Sequence, residues 1–287
     1  MCVTKAILAA GGLGTRMLPA TKAVPKALLP VVDKPLLRWA IEEVLAAGIE
    51  EIAVLMRPDQ VAIEHELATS DVLTDQLTAL GKEEIRDTLL NQDKGAEIRC
   101  FGISDETSGI GKQILDLGDF LGEQPFAVLL VDELCPAEGG PLEQLIALYQ
   151  RYQTSVCALV RYPHDDELIL VGQVTKMDAH GPKSSDPNRA ESKGARFIGR
   201  GVFTPELLRA YQALAMDRQT GLDLLDGMQV LATHQRLLGL PYKGEWWDCG
   251  DKTGYLQAQV ALAARDPELG PGFRAFLDRF TGTENAS

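Results

Sequence analysis

The sequence has little of what several large function classes require. Its five cysteines, Cys2, Cys100, Cys135, Cys157 and Cys249, are odd in number, widely spaced and free of any C-x-x-C pair. That argues against a disulfide framework and against a zinc site, and leaves reduced thiols as the expectation. Four scattered histidines, His65, His164, His180 and His234, offer no ligand spacing and no triad. Basic residues are outnumbered, 28 Lys and Arg against 41 Asp and Glu for a net charge of -13, so nucleic acid is not an expected partner. No apolar run is long enough to span a bilayer, and the start MCVTKAIL lacks the charged and apolar regions of a secretory signal. A soluble, cytoplasmic chain with no membrane partner is expected. Two nucleotide signatures are missing too. There is no G-x-x-x-x-G-K-[ST] loop, and Gly11-Gly12-Leu13-Gly14-Thr15-Arg16 does not open into a helix as the G-x-G-x-x-G dinucleotide fingerprint does. A dehydrogenase is set aside on that ground.

What is present suffices for a large core: 287 residues, 45% of them apolar, without internal repeats. Apolar runs alternate with helical periodicity, which predicts an α/β fold with a mostly parallel sheet covered by helices on both faces. Strands are expected at Lys5 to Ala9, Glu51 to Met56, Ala96 to Phe101, Phe126 to Val131, Ser155 to Val160, Leu168 to Thr175 and Phe197 to Phe203. Helices are expected at Pro35 to Ala47, two within Val72 to Leu90, Lys112 to Leu121, Leu142 to Tyr152, Pro205 to Leu214, Leu222 to Ala232 and Thr253 to Arg265. A single domain over 1–287, with 253–287 as a helical extension, is the expected organisation.

The stretch KAILAAGGLGTRMLPATKAVPKALLPVVDKP (5–35) is the most informative. An apolar strand runs into Ala10, Gly11, Gly12, Gly14 and Thr15, where the glycines let backbone N–H groups turn toward phosphate oxygens. Arg16 adds a planar fork suited to phosphate. Residues 1–34 hold Lys5, Arg16, Lys22, Lys26 and Lys34 against Asp33 alone, a local charge of +4 in an acidic chain. A polyanionic ligand needs such a local field, and a nucleoside triphosphate is the expected one. The second informative place is PFAVLLVDE (125–133), an apolar strand ending in Asp132 and Glu133. Ligands of open α/β sheets bind beyond the carboxyl ends of strands, so Asp132 is expected beside the glycine-rich loop.

These residues resemble the bacterial UTP:glucose-1-phosphate uridylyltransferase (UDP-glucose pyrophosphorylase) family. The similarity runs in order along the whole chain, from GGLGTRMLPATKAVPKALLPVVDKP through HELATSDVLTDQLTALGKEEI (65–85), PFAVLLVDE and GRGVFTPELL (199–208) to WWDCGDKTGYLQA (246–258). The resemblance implies the Rossmann-like, mixed and mostly parallel fold of sugar nucleotidyltransferases, and a reaction joining UTP to glucose 1-phosphate with pyrophosphate released. It implies Mg²⁺ held by Asp132 and Asp248, phosphate contacts from Arg16 and charge neutralisation by Lys26. Nucleotide binding falls to Ala10, Gly11, Gly12, Gly14 and Thr15 and to a second glycine loop at Gly109 and Gly111, and sugar binding to Gly172. A homodimer or tetramer is implied, with the helices around Thr253 to Phe280 as contact elements, or a hetero-oligomer with a related pyrophosphorylase.

The chain also departs from that pattern. Ser104 stands where the family has a uracil-reading glutamine. The second loop reads Gly109-Ile110-Gly111-Lys112-Gln113, Ala27 follows Lys26, Val171 precedes Gly172, and Gly221 replaces a glutamate. No E-K-P, the family's sugar-phosphate motif, precedes Gly199-Arg200; residues 178–196 read DAHGPKSSDPNRAESKGAR. That segment is expected to be a polar loop in which Lys183, Arg189, Lys193 and Arg196 either offer a replacement phosphate contact or, the favoured reading, are simply solvated. Three readings therefore stand: a uridylyltransferase, an enzyme of changed base or sugar, or a non-catalytic regulatory relative.

Overall fold

The structure is a computed structural model of the chain and describes residues 2–103, 109–136, 140–162, 169–170, 177–178, 194–217, 221–234 and 236–282. The first strand, β1 (Lys5–Ala9), leaves the glycine-rich loop and three short 3-10 turns, then a two-residue hairpin, β2 (Pro30–Val31) with β3 (Lys34–Pro35). Helix α1 (Leu36–Ala46) follows, and Gly48, at φ 76, accepts the left-handed conformation that ends it. Next come β4 (Glu51–Met56), α2 (Val61–Leu67), α3 (Asp71–Ala79), α4 (Glu83–Asn91) and β5 (Glu97–Gly102). Ser70 caps α3 by accepting from the Leu73 N–H.

The middle of the chain gives α5 (Gly109–Asp116), α6 (Gly118–Leu121), β6 (Phe126–Leu130), β7 (Glu133–Leu134), α7 (Pro141–Tyr152), β8 (Ser155–Tyr162), β9 (Ile169–Leu170) and β10 (Met177–Asp178). The last third adds β11 (Gly194–Phe203), α8 (Glu206–Asp217), α9 (Leu224–Thr233), β12 (Leu237–Pro241), β13 (Trp247–Asp248), α10 (Lys252–Arg265) and α11 (Gly270–Gly282).

The main sheet has the order β5-β4-β1-β6-β11-β8-β12-β9, with β10 beside β11. Strands β5, β4, β1 and β6 run parallel; β11 is antiparallel to both of its neighbours, β6 and β8. The expected mixed, mostly parallel sheet is found. Alternation along the strands sorts the core into two layers. Ala6, Leu8, Ile52, Val54, Ala127 and Leu129 meet α1, α2 and α7 on one face. Ile7, Ala53, Leu55, Phe126 and Val128 meet α5, α6, α8 and α9 on the other. Fully burying each Leu, Ile, Val or Phe side chain among these is worth about 1.5–3 kcal/mol, so both helical layers are secured from the sheet.

Several elements differ from expectation. Strand β12 and helix α2 were not expected, nor were the short β2–β3 and β7–β13 pairings. The helix expected over Lys112 to Leu121 starts earlier, at Gly109, and breaks into α5 and α6 at Leu117. Of the strand expected at Leu168 to Thr175, only Ile169–Leu170 falls within the described residues, and it is extended. Residues 194–196 were expected in a loop but belong to β11, where pairing with β8 holds them: Gly194 opposite Tyr162, Ala195 opposite Arg161, Arg196 opposite Val160.

Candidate active site

Strand β1 delivers the glycine-rich loop to the carboxyl edge of the sheet. The Ala10 N–H still donates to Leu55 O at 2.9 Å, and the strand ladder ends there. A side chain at Gly11 would run into Ile103, just beyond β5, so only glycine lets the loop lie this close to its neighbour. Gly14 sits at φ 66, and a Cβ there would be 2.9 Å from Thr21 Cγ2; the Thr21 hydroxyl donates to Gly14 O at 2.8 Å. That left-handed residue starts the 3-10 turn Thr15–Met17, which presents Arg16. A third turn, Lys26–Leu28, begins after Pro25 and brings Lys26 back across the loop, its Nζ next to Gly12.

Two carboxylates meet these cations. Asp132 follows β6, and its Oδ2 accepts from Lys26 Nζ at 2.6 Å. Asp248 comes from β13, which pairs with β7 so that Asp248 lies opposite Glu133. The Cys249 N–H donates to Asp132 O at 2.7 Å, tying the two segments together. Asp248 Oδ2 accepts from Arg16 at 3.1 Å and from Arg196 at 2.9 Å, while its Oδ1 accepts from the Gly250 N–H at 2.9 Å. Burial pushes the Asp248 carboxyl up, but the Arg16 and Arg196 guanidinium groups outweigh it and hold it below the ordinary carboxylate range. It is an anion held by two cations.

Glu133 behaves differently. It is buried, it accepts from the Trp246 indole N–H at 2.6 Å, and Arg196 reaches it only at 3.5 Å. Burial first, then the neighbouring charges of Asp132 and Asp248, raise its carboxyl to about 8. Arg196 itself stacks on Trp246, with the guanidinium carbon 4.4 Å from the ring centroid.

The structure thus brings Arg16, Lys26, Asp132 and Asp248 to one place beside Gly11, Gly12 and Gly14. Gly109 and Gly111 lie elsewhere on the same edge, packed on the turn before α9. A Cβ on Gly111 would meet Tyr211 and Leu222 O, and its N–H is already bonded to that oxygen at 2.7 Å. Gly221, at φ 69, faces open space on the same turn. Gly172, Ser104, Val171, Lys183, Arg189 and Lys193 lie outside the described residues. Arg196 corrects an expectation: it is a strand residue turned into the site, not a solvated loop charge. Glu133 and Trp246 also join the cluster. The first could be suspected from its place beside Asp132, whereas Trp246 stood in the sequence only as the first residue of the WWDCGDK stretch, with no role attached.

The donor set suits a hard divalent cation. A Cβ placed on Gly250 would be 2.8 Å from Asp248 Oδ1, 2.6 Å from the Arg16 guanidinium, and closer still to Asp132 Oδ2. Two carboxylates from distant segments therefore converge on one small cradle that a methyl group would fill. Among the described residues no cluster of three His, Cys, Asp or Glu forms a complete metal cage. Two carboxylates completed by substrate phosphates and water is how Mg²⁺ is commonly bound.

Comparison with known proteins shows the family. A family model described as nucleotidyl transferase matches residues 5–265. The chain is 32% identical over 289 residues to UTP--glucose-1-phosphate uridylyltransferase of Bacillus subtilis (strain 168), covering 98% of each chain. It is 28% identical over 288 residues to the protein of that name in Staphylococcus epidermidis (strain ATCC 12228 / FDA PCI 1200), covering 96% of this chain and 97% of the relative. Among solved structures, a UDP-glucose pyrophosphorylase from Acinetobacter baumannii superposes with a TM-score of 0.80 at 25% identity, covering 97% of this chain and 99% of that one. A UDP-glucose pyrophosphorylase complexed with UDP-glucose superposes with a TM-score of 0.71 at 28% identity, covering 92% and 100%.

Proposed function

The chain belongs to the nucleotidyl transferase family, and from that premise we propose that it transfers a uridylyl group from UTP to glucose 1-phosphate, giving UDP-glucose and pyrophosphate. The observation that carries the proposal is the convergence of Arg16 and Lys26, from the turns after β1, on Asp132 and Asp248. Relatives solved with UTP and with UDP-glucose support the choice of substrates.

In this reading the N–H groups of Ala10 to Thr15 cradle the triphosphate. Arg16 holds the β- and γ-phosphates and favours pyrophosphate as the leaving group, and Lys26 neutralises charge at the α-phosphate. An oxygen of the sugar phosphate, already an anion near neutral pH, attacks the α-phosphorus. A new P–O bond forms, the α–β bridge breaks, and the electron pair leaves on pyrophosphate. No general base is required, so positioning and charge neutralisation supply the catalysis. Asp132 and Asp248 would hold Mg²⁺, which when bound screens the phosphates from one another and draws both substrates together. A homodimer or tetramer through α10 and α11 belongs to the same proposal. Exposed Leu256, Leu269, Phe276 and Phe280 on or between those helices support it.

The test is Mg²⁺-dependent pyrophosphate release from UTP, dTTP, CTP, GTP and ATP against a panel of sugar 1-phosphates, with Asp132→Ala and Asp248→Ala as controls. Turnover of UTP with glucose 1-phosphate, lost in both variants and on chelation, is expected. Turnover with another base or sugar would correct the substrates, a reading favoured by the absence of E-K-P. Silence from folded protein across the panel would sink the catalytic reading and leave a regulatory relative of an active pyrophosphorylase.

A further inference from the structure

The reaction proposed above brings two phosphate-bearing substrates to one point, and the sheet supplies cations from two sides. Strand β6, which Asp132 follows, is flanked by β1 on one edge and by β11 on the other. Arg16 and Lys26 both arrive from the β1 side, on the turns that continue the glycine-rich loop. Arg196 arrives from the β11 side. Because β11 is antiparallel to β6, its first residues lie where β6 ends, which is why a residue so close to the start of β11 reaches this site.

Arg196 is built as a fixed fork. Its side chain is 12% exposed, against 47% for Arg16, so it is not a solvent-facing arm. Trp246 supports its flat face, and the Trp246 indole is in turn anchored on Glu133 at 2.6 Å. A guanidinium held this way loses little freedom when it takes up a ligand. Yet its hydrogen bonding is incomplete. Arg196 shares Asp248 Oδ2 with Arg16, its approach to Glu133 is long, and its buried Nε–H has no acceptor among the described residues. A buried donor left unpaired is unfavourable, and an acceptor oxygen shared with Arg16 leaves Arg196 with only part of a partner. A dianionic phosphate entering from the β11 side would supply the missing acceptors.

We propose that Arg196 is the cation that receives the phosphate of the sugar 1-phosphate, across β6 from the loop that holds the nucleotide. The inference rests on the uridylyl-transfer reading. It divides the basic groups of the site by substrate: Arg16 and Lys26 serve the triphosphate, and Arg196, braced by Trp246, serves the acceptor.

The test is steady-state kinetics on the full chain, with Arg196→Gln and Arg196→Lys, varying UTP, glucose 1-phosphate and Mg²⁺ in turn. Loss of a charge-assisted contact made to one substrate should raise the KM for glucose 1-phosphate about 10- to 100-fold in Arg196→Gln, less in Arg196→Lys, while the KM for UTP and the half-saturating Mg²⁺ stay within about twofold. In the reverse direction the KM for UDP-glucose should rise and that for pyrophosphate should not. An unchanged KM for glucose 1-phosphate would overturn the assignment. So would equal losses for UTP, Mg²⁺ and sugar phosphate, because they would mean that Arg196 only steadies Asp248. If Arg196→Gln fails to fold, Arg196→Lys decides by the same comparison. Failure of the underlying reading shows separately, as a wild-type protein that turns over no sugar 1-phosphate.

Discussion

At the scale of single residues, the site is most sensitive where nothing charged stands. Gly250 has room for a hydrogen and no more, because a methyl group would press on Asp132, Arg16 and Asp248 together. These neighbours are the far ends of side chains, so they would turn aside rather than break the backbone. Gly250→Ala is therefore expected to lower kcat/KM about 100-fold, the scale of an ångström of misplacement at a reacting centre, while the melting temperature moves by only a degree or two. Rate and thermal melts on the same sample check it. The core thiols give a second expectation. Burial pushes the Cys135 and Cys157 thiols far above their ordinary value. The unfolded chain releases these protons from about pH 8.5, and the folded chain keeps them, so their contribution to stability is complete below that pH and declines as the pH rises. Cys157→Ala should flatten the fall of melting temperature between about pH 8.5 and 10.5. An unchanged slope would count against it. Arg16, Lys26 and Asp132 were legible in the sequence because each adjoins a turn signal or a strand end. Arg196 was not, since its surroundings read as a polar loop and only pairing with β8 reveals the strand.

At the scale of elements, β11 carries the least obvious feature of the fold. Its pairing with β8 slips between Phe197 and Gly201, and Gly199 stands in that irregularity at φ 71. Such bulges re-aim side chains, and here Arg196 points into the site while Arg200 is buried toward α1, paired with Glu43 at 2.8 Å. A Cβ on Gly199 would lie 2.7 Å from Glu133 Cγ and 2.9 Å from Leu130 Cβ. Gly199→Ala therefore combines backbone strain with a clash, and is expected to cost about 1–3 kcal/mol of unfolding free energy and to loosen Trp246 by shifting its Glu133 partner. Denaturant melts followed by tryptophan fluorescence would test both parts. Continuous apolar strands such as Glu51 to Met56 and Phe126 to Leu130 were readable from composition. Strand β12 was hidden by Gly239 and Pro241, which ordinarily argue against a strand. The β7–β13 pair is only two residues on each side, so no period exists in the sequence to announce it.

At the scale of the whole molecule, the charge is divided by place rather than by amount. A chain of net charge -13 keeps a basic patch at the turns after β1. Salt screens that patch against a triphosphate, so the KM for UTP should rise steadily with ionic strength, measurable between 50 mM and 300 mM NaCl as roughly the range over which screening tightens. On α11, Phe273, Phe276 and Phe280 form a stacked ladder, and the last two are exposed. Under the proposed oligomer, Phe276→Asp should convert the particle to a monomer by light scattering. No change in mass would show that this ladder is not the contact.

The short pairing of β7 with β13 has a consequence for how the protein comes into being. Leu134 faces Trp247, 113 residues further along the chain (247 − 134), and the pairing is what brings Asp248 to Asp132. A polypeptide still emerging from the ribosome can complete β1, β4 and β6 and display its glycine turn long before residue 248 has been made. During that interval it owns Asp132 without Asp248. Chemistry must wait until β13 has been made, and a product cut short before it would keep its glycine turn with half of the acidic pair missing.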